Sequence, residues 1–289
     1  MSSRSDIVTP ASLRSWALPS GGDSKHGRGR LLVVGGAART PGGALLAGLA
    51  GLRVGAGHLQ LAVAESVAVP LAVAIPESGV IGLAQTGAGS VRGDAAAGQL
   101  TDAVASADAV LVGSGLDDAE EAATLLRGLA PLVADETVVV LDAYALGVLA
   151  DLDGVRAALA GRWVLTPNRE EASRLLGREV DDIGADVRDI AARYAAVVSC
   201  QGMIAAPSGE LWEISAGHGG LATSGSGDVL AGCVTGLLAR GAGLDQAACW
   251  ATHLHAAAGD RLAARIGPLG FLGRELLEEL PALLLELKQ

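Results

Sequence analysis

At 289 residues, half of them hydrophobic, the chain is long enough to bury a large core. Its 32 acidic residues against 21 basic ones leave a net charge of −11, which excludes a basic surface that tracks nucleic-acid phosphates. With 41 glycines and a single Phe, the core is expected to be built from small aliphatic side chains between closely packed helices.

Cys200, Cys233 and Cys249 are odd in number and lack CxxC spacing. They read as buried small hydrophobes in a reducing compartment, with neither a disulfide framework nor a zinc site. No basic segment followed by an apolar run marks a signal peptide. Arg53, Glu65, Pro70 and Pro76 interrupt the longer apolar stretches before a membrane span is reached. The expected location is the cytoplasm, with no nucleic-acid or membrane partner.

Residues 1–28 are polar, with a short helix expected at 10–18. Leu31-Leu32-Val33-Val34 is a continuous apolar run ending in Gly35-Gly36, as in a parallel strand buried on both faces. A loop leads to a helix that ends near Val54, where Gly48 and Gly51 predict close packing on the sheet. His58–Ala64 is the next strand, completing a βαβ unit. Gly55 and Gly57 close the helix rather than open one, so this is not the dinucleotide fingerprint.

Strands are then expected at Ala109–Val112, 137–141, Trp163–Leu165 and 194–199. Helices are expected at 118–129, after Asn168, at 245–266 and at 274–287, and Gly209 marks a hairpin tip leading into Leu211–Ile214. The alanine-rich segment 95–107 is the one low-complexity break. The alternation predicts an α/β fold in one domain, 1–289, around a mostly parallel sheet. Ligands of such sheets bind beyond the carboxyl ends of the strands, where Gly, Asn and Asp residues here collect.

The most informative stretch is Ala222-Thr223-Ser224-Gly225-Ser226-Gly227-Asp228-Val229-Leu230-Ala231-Gly232. Gly225 and Gly227 tolerate φ > 0 and close approach of a ligand. The amides of Ser226, Gly227 and Asp228 are expected to face outward from the first turn of a helix, a ready site for an anion. Asp228 has two readings: an N-cap, or a base that deprotonates a hydroxyl attacking the phosphate held by those amides. A carboxylate beside a phosphate repels it, which favours the base.

These segments, in this order, resemble the NAD(P)H-hydrate dehydratases, the C-terminal module of the YjeF-type proteins in the ribokinase-like superfamily. The matching residues are Gly35-Gly36, Gly42-Gly43, Leu52-Arg53-Val54-Gly55-Ala56-Gly57, Gly113-Ser114-Gly115-Leu116, Leu141-Asp142-Ala143, Leu165-Thr166-Pro167-Asn168-Arg169-Glu170-Glu171, the Gly225 loop, and Leu254-His255 with Ala258-Gly259-Asp260. They run from residue 26 to 260. The resemblance implies a three-layer αβα sandwich of the ribokinase-like type, and dehydration of S-NAD(P)H hydrate back to NAD(P)H driven by ADP or ATP. The C6 hydroxyl is phosphorylated and phosphate is then expelled.

By the same resemblance Asp228 is the catalytic base, and Gly225, Ser226, Gly227, Gln201 and Gly202 contact the nucleotide. Gly43, Gly115, Asn168 and Asp228 contact the hydrate, and Glu171 acts on Mg²⁺ through water. A homo-oligomer, a tetramer in the family, is implied, and a separate epimerase for the other hydrate epimer, since no such module precedes residue 26.

The chain departs from the family pattern in places. Ala37, Thr40 and Gly43 stand where a Ser-x-x-Tyr-x-Gly-Ala segment has its Ser, Tyr and Ala, and Asn168-Arg169-Glu170-Glu171 replaces His-Pro-Gly-Glu. The nucleotide-side Lys-Gly-x-x-Thr is missing near Gln201-Gly202, and Gly217-His218-Gly219-Gly220 replaces Gly-Asn-Pro-Gly. Asn168-x-x-Glu171 also suits the alternative, a ribokinase-like kinase that phosphorylates a sugar or vitamin-precursor alcohol.

Overall fold

The structure, a computed structural model, describes residues 5–288 apart from 23, 26 and 218. In chain order the elements begin β1 (Asp6–Val8), α1 (Pro10–Ser15), β2 (Arg30–Val34), α2 (Pro41–Arg53), β3 (His58–Ala64), α3 (Glu65–Ala74) and β4 (Ser78–Leu83). Next come α4 (Gly93–Gln99), α5 (Thr101–Ser106), β5 (Ala109–Val112), α6 (Ala119–Leu129), β6 (Val138–Leu141), α7 (Tyr144–Val148), α8 (Asp153–Leu159) and β7 (Trp163–Leu165). The chain closes with α9 (Arg169–Leu176), α10 (Ile183–Tyr194), β8 (Val197–Cys200), β9 (Met203–Ala205), β10 (Leu211–Ile214), α11 (Ser226–Ala239), α12 (Leu244–Arg265) and α13 (Gly273–Lys288).

Among the described residues one ten-stranded sheet has the order β1-β10-β9-β8-β7-β6-β5-β2-β3-β4. Every neighbouring pair is parallel except those made by β9, which runs against β8 and β10. Strand β2 shows why the sheet is covered twice. Leu31 and Val33 enter one core, with residues of α2, α11, α12 and α13, while Leu32 and Val34 enter the other, with residues of α4 to α10. A strand apolar on both faces needs a helical layer on each side. Among the described residues no helix is long and apolar enough to cross a membrane.

Several sequence expectations shift. The helix expected at 10–18 ends at Ser15, with Trp16 as its C-cap. The strand expected at 194–199 starts at Val197, because α10 runs through Tyr194 and Ala195 at φ 47° terminates it. Asp118 is the N-cap of α6, its Oδ1 accepting from the Glu120 and Glu121 amides. The alanine-rich segment read as low complexity is the helix pair α4 and α5, as strong helix propensity allows. Elements β1, α3, β4, α7, α8, α10 and β9 are additions.

Helices α2 and α11 meet almost backbone to backbone. A Cβ on Gly232 would lie 2.1 Å from the Ala47 carbonyl oxygen, and one on Gly236 would lie 2.6 Å from Gly51 Cα. On the sheet side, a Cβ on Gly51 would lie 2.1 Å from Leu31 Cδ2. This contact sets the N-termini of the two helices side by side at the carboxyl rim of the sheet. Gly232→Ala is therefore expected to lower unfolding stability by about 1–3 kcal/mol through overpacking against backbone. Gly154→Ala in α8, where a Cβ meets nothing within 4 Å, is expected to raise stability by roughly 0.5 kcal/mol through helix propensity. Denaturant titration of the two variants checks both signs.

Candidate active site

The rim is a series of strand-end loops tied to one another. After β2, the Gly36 amide donates to the Ser114 carbonyl at 3.0 Å, and the Ala37 amide to the Gly115 carbonyl at 2.7 Å. Thr40 Oγ1 donates to the same Gly115 carbonyl at 2.8 Å, so the residue in the missing tyrosine's place pins the two loops together. A Cβ on Gly115 (φ +77°) would lie 2.4 Å from the Thr40 carbonyl oxygen. Glycine is needed there for both conformation and space.

Asp228 reaches this junction from α11. Gly225, at φ 85°, is the N-cap of that helix, so Asp228 occupies the third helical position and is not the cap. Gly227 is helical, in contrast to the φ > 0 that its sequence context allows, and a Cβ there would meet nothing within 4 Å. Its role is open space beside the first turn. The Ser226 amide donates to the Thr223 carbonyl at 3.2 Å, which corrects the expectation of three outward amides. Those of Gly227 and Asp228 have no partner one turn back inside the helix, the arrangement in which first-turn amides can receive an anion.

Gly43, Gly115 and Asp228 converge. A Cβ on Gly43 would lie 2.7 Å from the Gly115 nitrogen and 3.0 Å from Asp228 Oδ1. Burial pushes the Asp228 carboxyl above the ordinary carboxylate range, against the pull of the Ser114 hydroxyl that it faces. On the other flank of the same first turn lies a cavity of about 560 Å³, within the range of small-molecule sites. Asn168, Gln201, Gly202, Ser226 and Gly227 line it, together with apolar side chains that include Ile214, Leu221 and Leu230. Asn168 thus belongs to the cavity wall, whereas Gly43, Gly115 and Asp228 form the second cluster.

Gln201 and Gly202 owe their place to a hairpin the sequence did not announce. They join β8 to β9, both at positive φ (50° and 83°), the pattern of a tight primed turn. Asn168 caps α9 through a reciprocal box: its Oδ1 accepts from the Glu171 amide at 3.0 Å, and Glu171 Oε2 accepts from the Asn168 amide at 2.9 Å. Glu171 therefore has a structural duty as well. Burial raises its pKa first of all; the Asn168 amide and Arg174 oppose that, and Glu170 and Asp228 add to it. Glu171 does not line the cavity.

His255 holds the first turn from below. Its Nε2 lies 3.0 Å from the Ser226 carbonyl oxygen and 2.8 Å from Ser226 Oγ. The carbonyl can only accept, so Nε2 carries the ring proton, and burial keeps the imidazole neutral with a pKa pushed down to about 4. Ser226, so held, lines the cavity. His218 lies outside the described residues.

Under the Asp228 cluster sits a buried carboxyl that sequence motifs marked only as a strand end. Asp142 Oδ1 accepts from Thr166 Oγ1 at 2.9 Å, and its Oδ2 from Ser114 Oγ at 3.2 Å. The next residue, Ala143, is held at φ 51°, ψ −123°, a conformation that costs an L-residue about 1–3 kcal/mol. Burial, then the charges of Asp228 and Glu171, push the Asp142 pKa up to about 7.

An open helical first turn, a carboxylate beside it, a cavity on one flank and the Gly43–Gly115 junction on the other suit transfer of a phosphoryl group onto a hydroxyl. Comparison with known proteins gives the family. The profile of the NAD(P)H-hydrate dehydratase family matches residues 31–282. The chain is 43% identical, over 96% of its own length and 95% of the relative's, to an ADP-dependent (S)-NAD(P)H-hydrate dehydratase of Xanthomonas campestris. It is 37% identical to a bifunctional NAD(P)H-hydrate repair enzyme of Moorella thermoacetica, 90% of the chain spanning only 50% of that relative. The crystal structure of the ADP/ATP-dependent NAD(P)H-hydrate dehydratase of Bacillus subtilis, co-crystallized with ATP/Mg²⁺, superposes with a TM-score of 0.80 at 25% identity, covering 98% of this chain and 99% of that one. A ribokinase-like superfamily protein of Enterococcus faecalis shares the fold, with a TM-score of 0.83 at 22% identity over 98% and 96% of the two chains. The fold is thus the ribokinase-like αβα sandwich, and the chain belongs to the NAD(P)H-hydrate dehydratase family.

Proposed function

We propose that the protein restores NAD(P)H from its S-hydrate, using ADP or ATP as phosphoryl donor. The observation that carries this is the Asp228 carboxylate at the third position of the anion-binding turn, between the Gly43–Gly115 junction and the cavity. The nucleotide occupies the cavity, its base against Ile214, Leu221 and Leu230, and its terminal phosphate at the amides of Gly227 and Asp228. The hydrate lies on the other flank, where the lack of a Cβ at Gly43 and Gly115 lets the ring approach backbone. Asp228 takes the proton from the C6 hydroxyl as that oxygen attacks phosphorus, and the phosphorylated carbon then loses phosphate.

The residues fit magnesium in one way. Among the described residues no group of three or more His, Cys, Asp or Glu side chains is arranged to hold a metal ion directly. Oxygen donors are nonetheless at hand: Glu171 is electrostatically coupled to Asp228 and Asp142, which suits a hard cation met through water. Bound with the nucleotide, Mg²⁺ would neutralise charge on the phosphates, with Glu171 orienting its water. Residues 1–289 are taken as one domain acting in the cytoplasm as a homo-oligomer, with a separate epimerase supplying the S epimer.

Incubation with hydrated NADH, magnesium and ADP is expected to regenerate the dihydronicotinamide absorbance band and release free phosphate. Loss of that recovery with both nucleotides, alongside stable phosphorylation of a sugar or hydroxymethylpyrimidine, would make the protein a kinase instead.

Asp228→Asn should separate the base from a structural acid. Asn is nearly isosteric and Asp228 is not the cap, so nucleotide affinity and melting temperature should stay near wild type while turnover falls about 10²–10⁴-fold. Because the working form of Asp228 is the carboxylate and its pKa is raised, wild-type turnover should fall with decreasing pH at a value above the ordinary carboxylate range. Turnover of the variant within a few-fold of wild type would remove Asp228 from the chemistry.

A further inference from the structure

Beneath Asp228 the structure holds a chain of polar groups that the reaction as described does not use. Ser114 is fully buried and Asp142 is 6% exposed. The single Ser114 hydroxyl proton has two carboxyl neighbours, Asp142 Oδ2 at 3.2 Å and the Asp228 carboxyl. Thr166 holds the other Asp142 oxygen at 2.9 Å. The groups facing Asp142 are Asp228 on α11, Glu171 on α9 with Arg174 beside it, and the Ser114 and Thr166 hydroxyls.

Dehydration across the C5–C6 bond makes a demand that one carboxylate does not meet. The substrate gives up its hydroxyl proton when oxygen attacks phosphorus, and a second proton from C5 when phosphate leaves with the C–O electron pair. We propose that Ser114 and Asp142 form a proton relay that clears the first proton from Asp228 before the second is taken. The inference rests on Asp228 acting as the base in the dehydration proposed above.

The balance is simple. The substrate O–H bond breaks, its electron pair forms the O–P bond and the proton goes to Asp228. Asp228 passes that proton to Ser114 Oγ while the hydroxyl's own proton moves to Asp142 Oδ2. Ser114 ends unchanged, Asp142 is a carboxylic acid and Asp228 is again a carboxylate, ready for the C5 proton. Nothing is oxidised or reduced. After product release both protons return to solvent through Asp228, which is half-buried at the cleft. Asp142 suits storage because its surroundings let it hold a proton near neutral pH. Ser114 and Asp142 are positioning residues in this scheme, since neither touches the substrate.

The test compares pH profiles of single-turnover rate for Asp142→Asn and Ser114→Ala. In Asp142→Asn the amide donates to Ser114 Oγ, which turns its proton to Asp228, and the like charge is gone. Both effects favour the Asp228 carboxylate, so the acidic limb should move to lower pH while the plateau rate falls roughly 10–100-fold for want of an acceptor. Ser114→Ala removes a donor from Asp228, so its limb should move to higher pH with a comparable loss of rate. Nucleotide affinity by calorimetry should match wild type in both, since neither residue lines the cavity. The limb shifts report the charge and the hydrogen bond at Asp228, whereas the loss of plateau rate at pH values where Asp228 is ionised in every variant is what a pin that merely joins strand ends would not produce.

A plateau within about twofold of wild type in Asp142→Asn, or limbs that stay in place in both variants, would overturn the relay. Infrared titration gives a reading that does not need the hydrate. Acidification from about pH 8 to about pH 6 should raise a buried carboxylic-acid band in wild type that is absent in Asp142→Asn and displaced in Ser114→Ala. Failure of the substrate assignment would appear as wild type without dihydronicotinamide recovery. Absence of the band would count against the relay whatever the substrate.

Discussion

The contact between α2 and α11, too close for a Cβ at Gly232 or Gly236, is the constraint on which the active site depends. Gly232 and Gly236 lie against the backbone of Ala47 and Gly51, so the helices cannot slide without opening a void or striking a carbonyl. Their N-termini are thereby fixed to one another. One end brings Gly43 and the other brings Gly225, Gly227 and Asp228. The loop after β5, itself held by the Gly36, Ala37 and Thr40 hydrogen bonds, closes the triangle. In the proposed reaction the phosphoryl acceptor, the anion-binding amides and the base would thus share one corner already assembled by the fold.

Three carboxyls gather around this corner, and burial sets how each holds its proton. Asp228, Glu171 and Asp142 each have a raised pKa, with burial as the leading cause. Raised values mean that protons are held there more readily than in water. The Ser114 hydroxyl pulls Asp228 the other way, towards the ionised form that a base needs. His255 works in the opposite sense: kept neutral by burial, it fixes Ser226 without adding a charge.

Much of this could be read in the sequence, because short-range signals carry it. The apolar runs ending in Gly35-Gly36, Gly113-Ser114-Gly115 and Thr166-Pro167-Asn168 mark strand ends at one rim, and the small residues before Asp228 mark a helix entry open to an anion. What was hidden depends on long-range pairing. The Gln201-Gly202 turn was not recognisable, since Gln is an unusual residue at positive φ and β9 has only three residues. Segment 65–83 gave no period, because α3 is apolar nearly throughout and carries Pro70 inside it. The partnership of Asp142 with Ser114 and Thr166 spans 28 and 24 residues of sequence, and no local pattern reports such a contact. Even Asp228 changed its meaning: the sequence allowed an N-cap, and the left-handed Gly225 took that position instead.

The central claim is that the hydroxyl of the hydrate, held at Asp228, becomes a phosphate ester before it leaves. Hydrate prepared with ¹⁸O in its C6 hydroxyl tests this directly, by mass analysis of the phosphate released in unlabelled water. The expected result is one ¹⁸O atom in each phosphate formed together with each dihydronicotinamide restored. Unlabelled phosphate, with the ¹⁸O recovered in water, would mean that nucleotide hydrolysis and dehydration proceed without phosphoryl transfer to the substrate, and would contradict the role assigned to Asp228 and its helix.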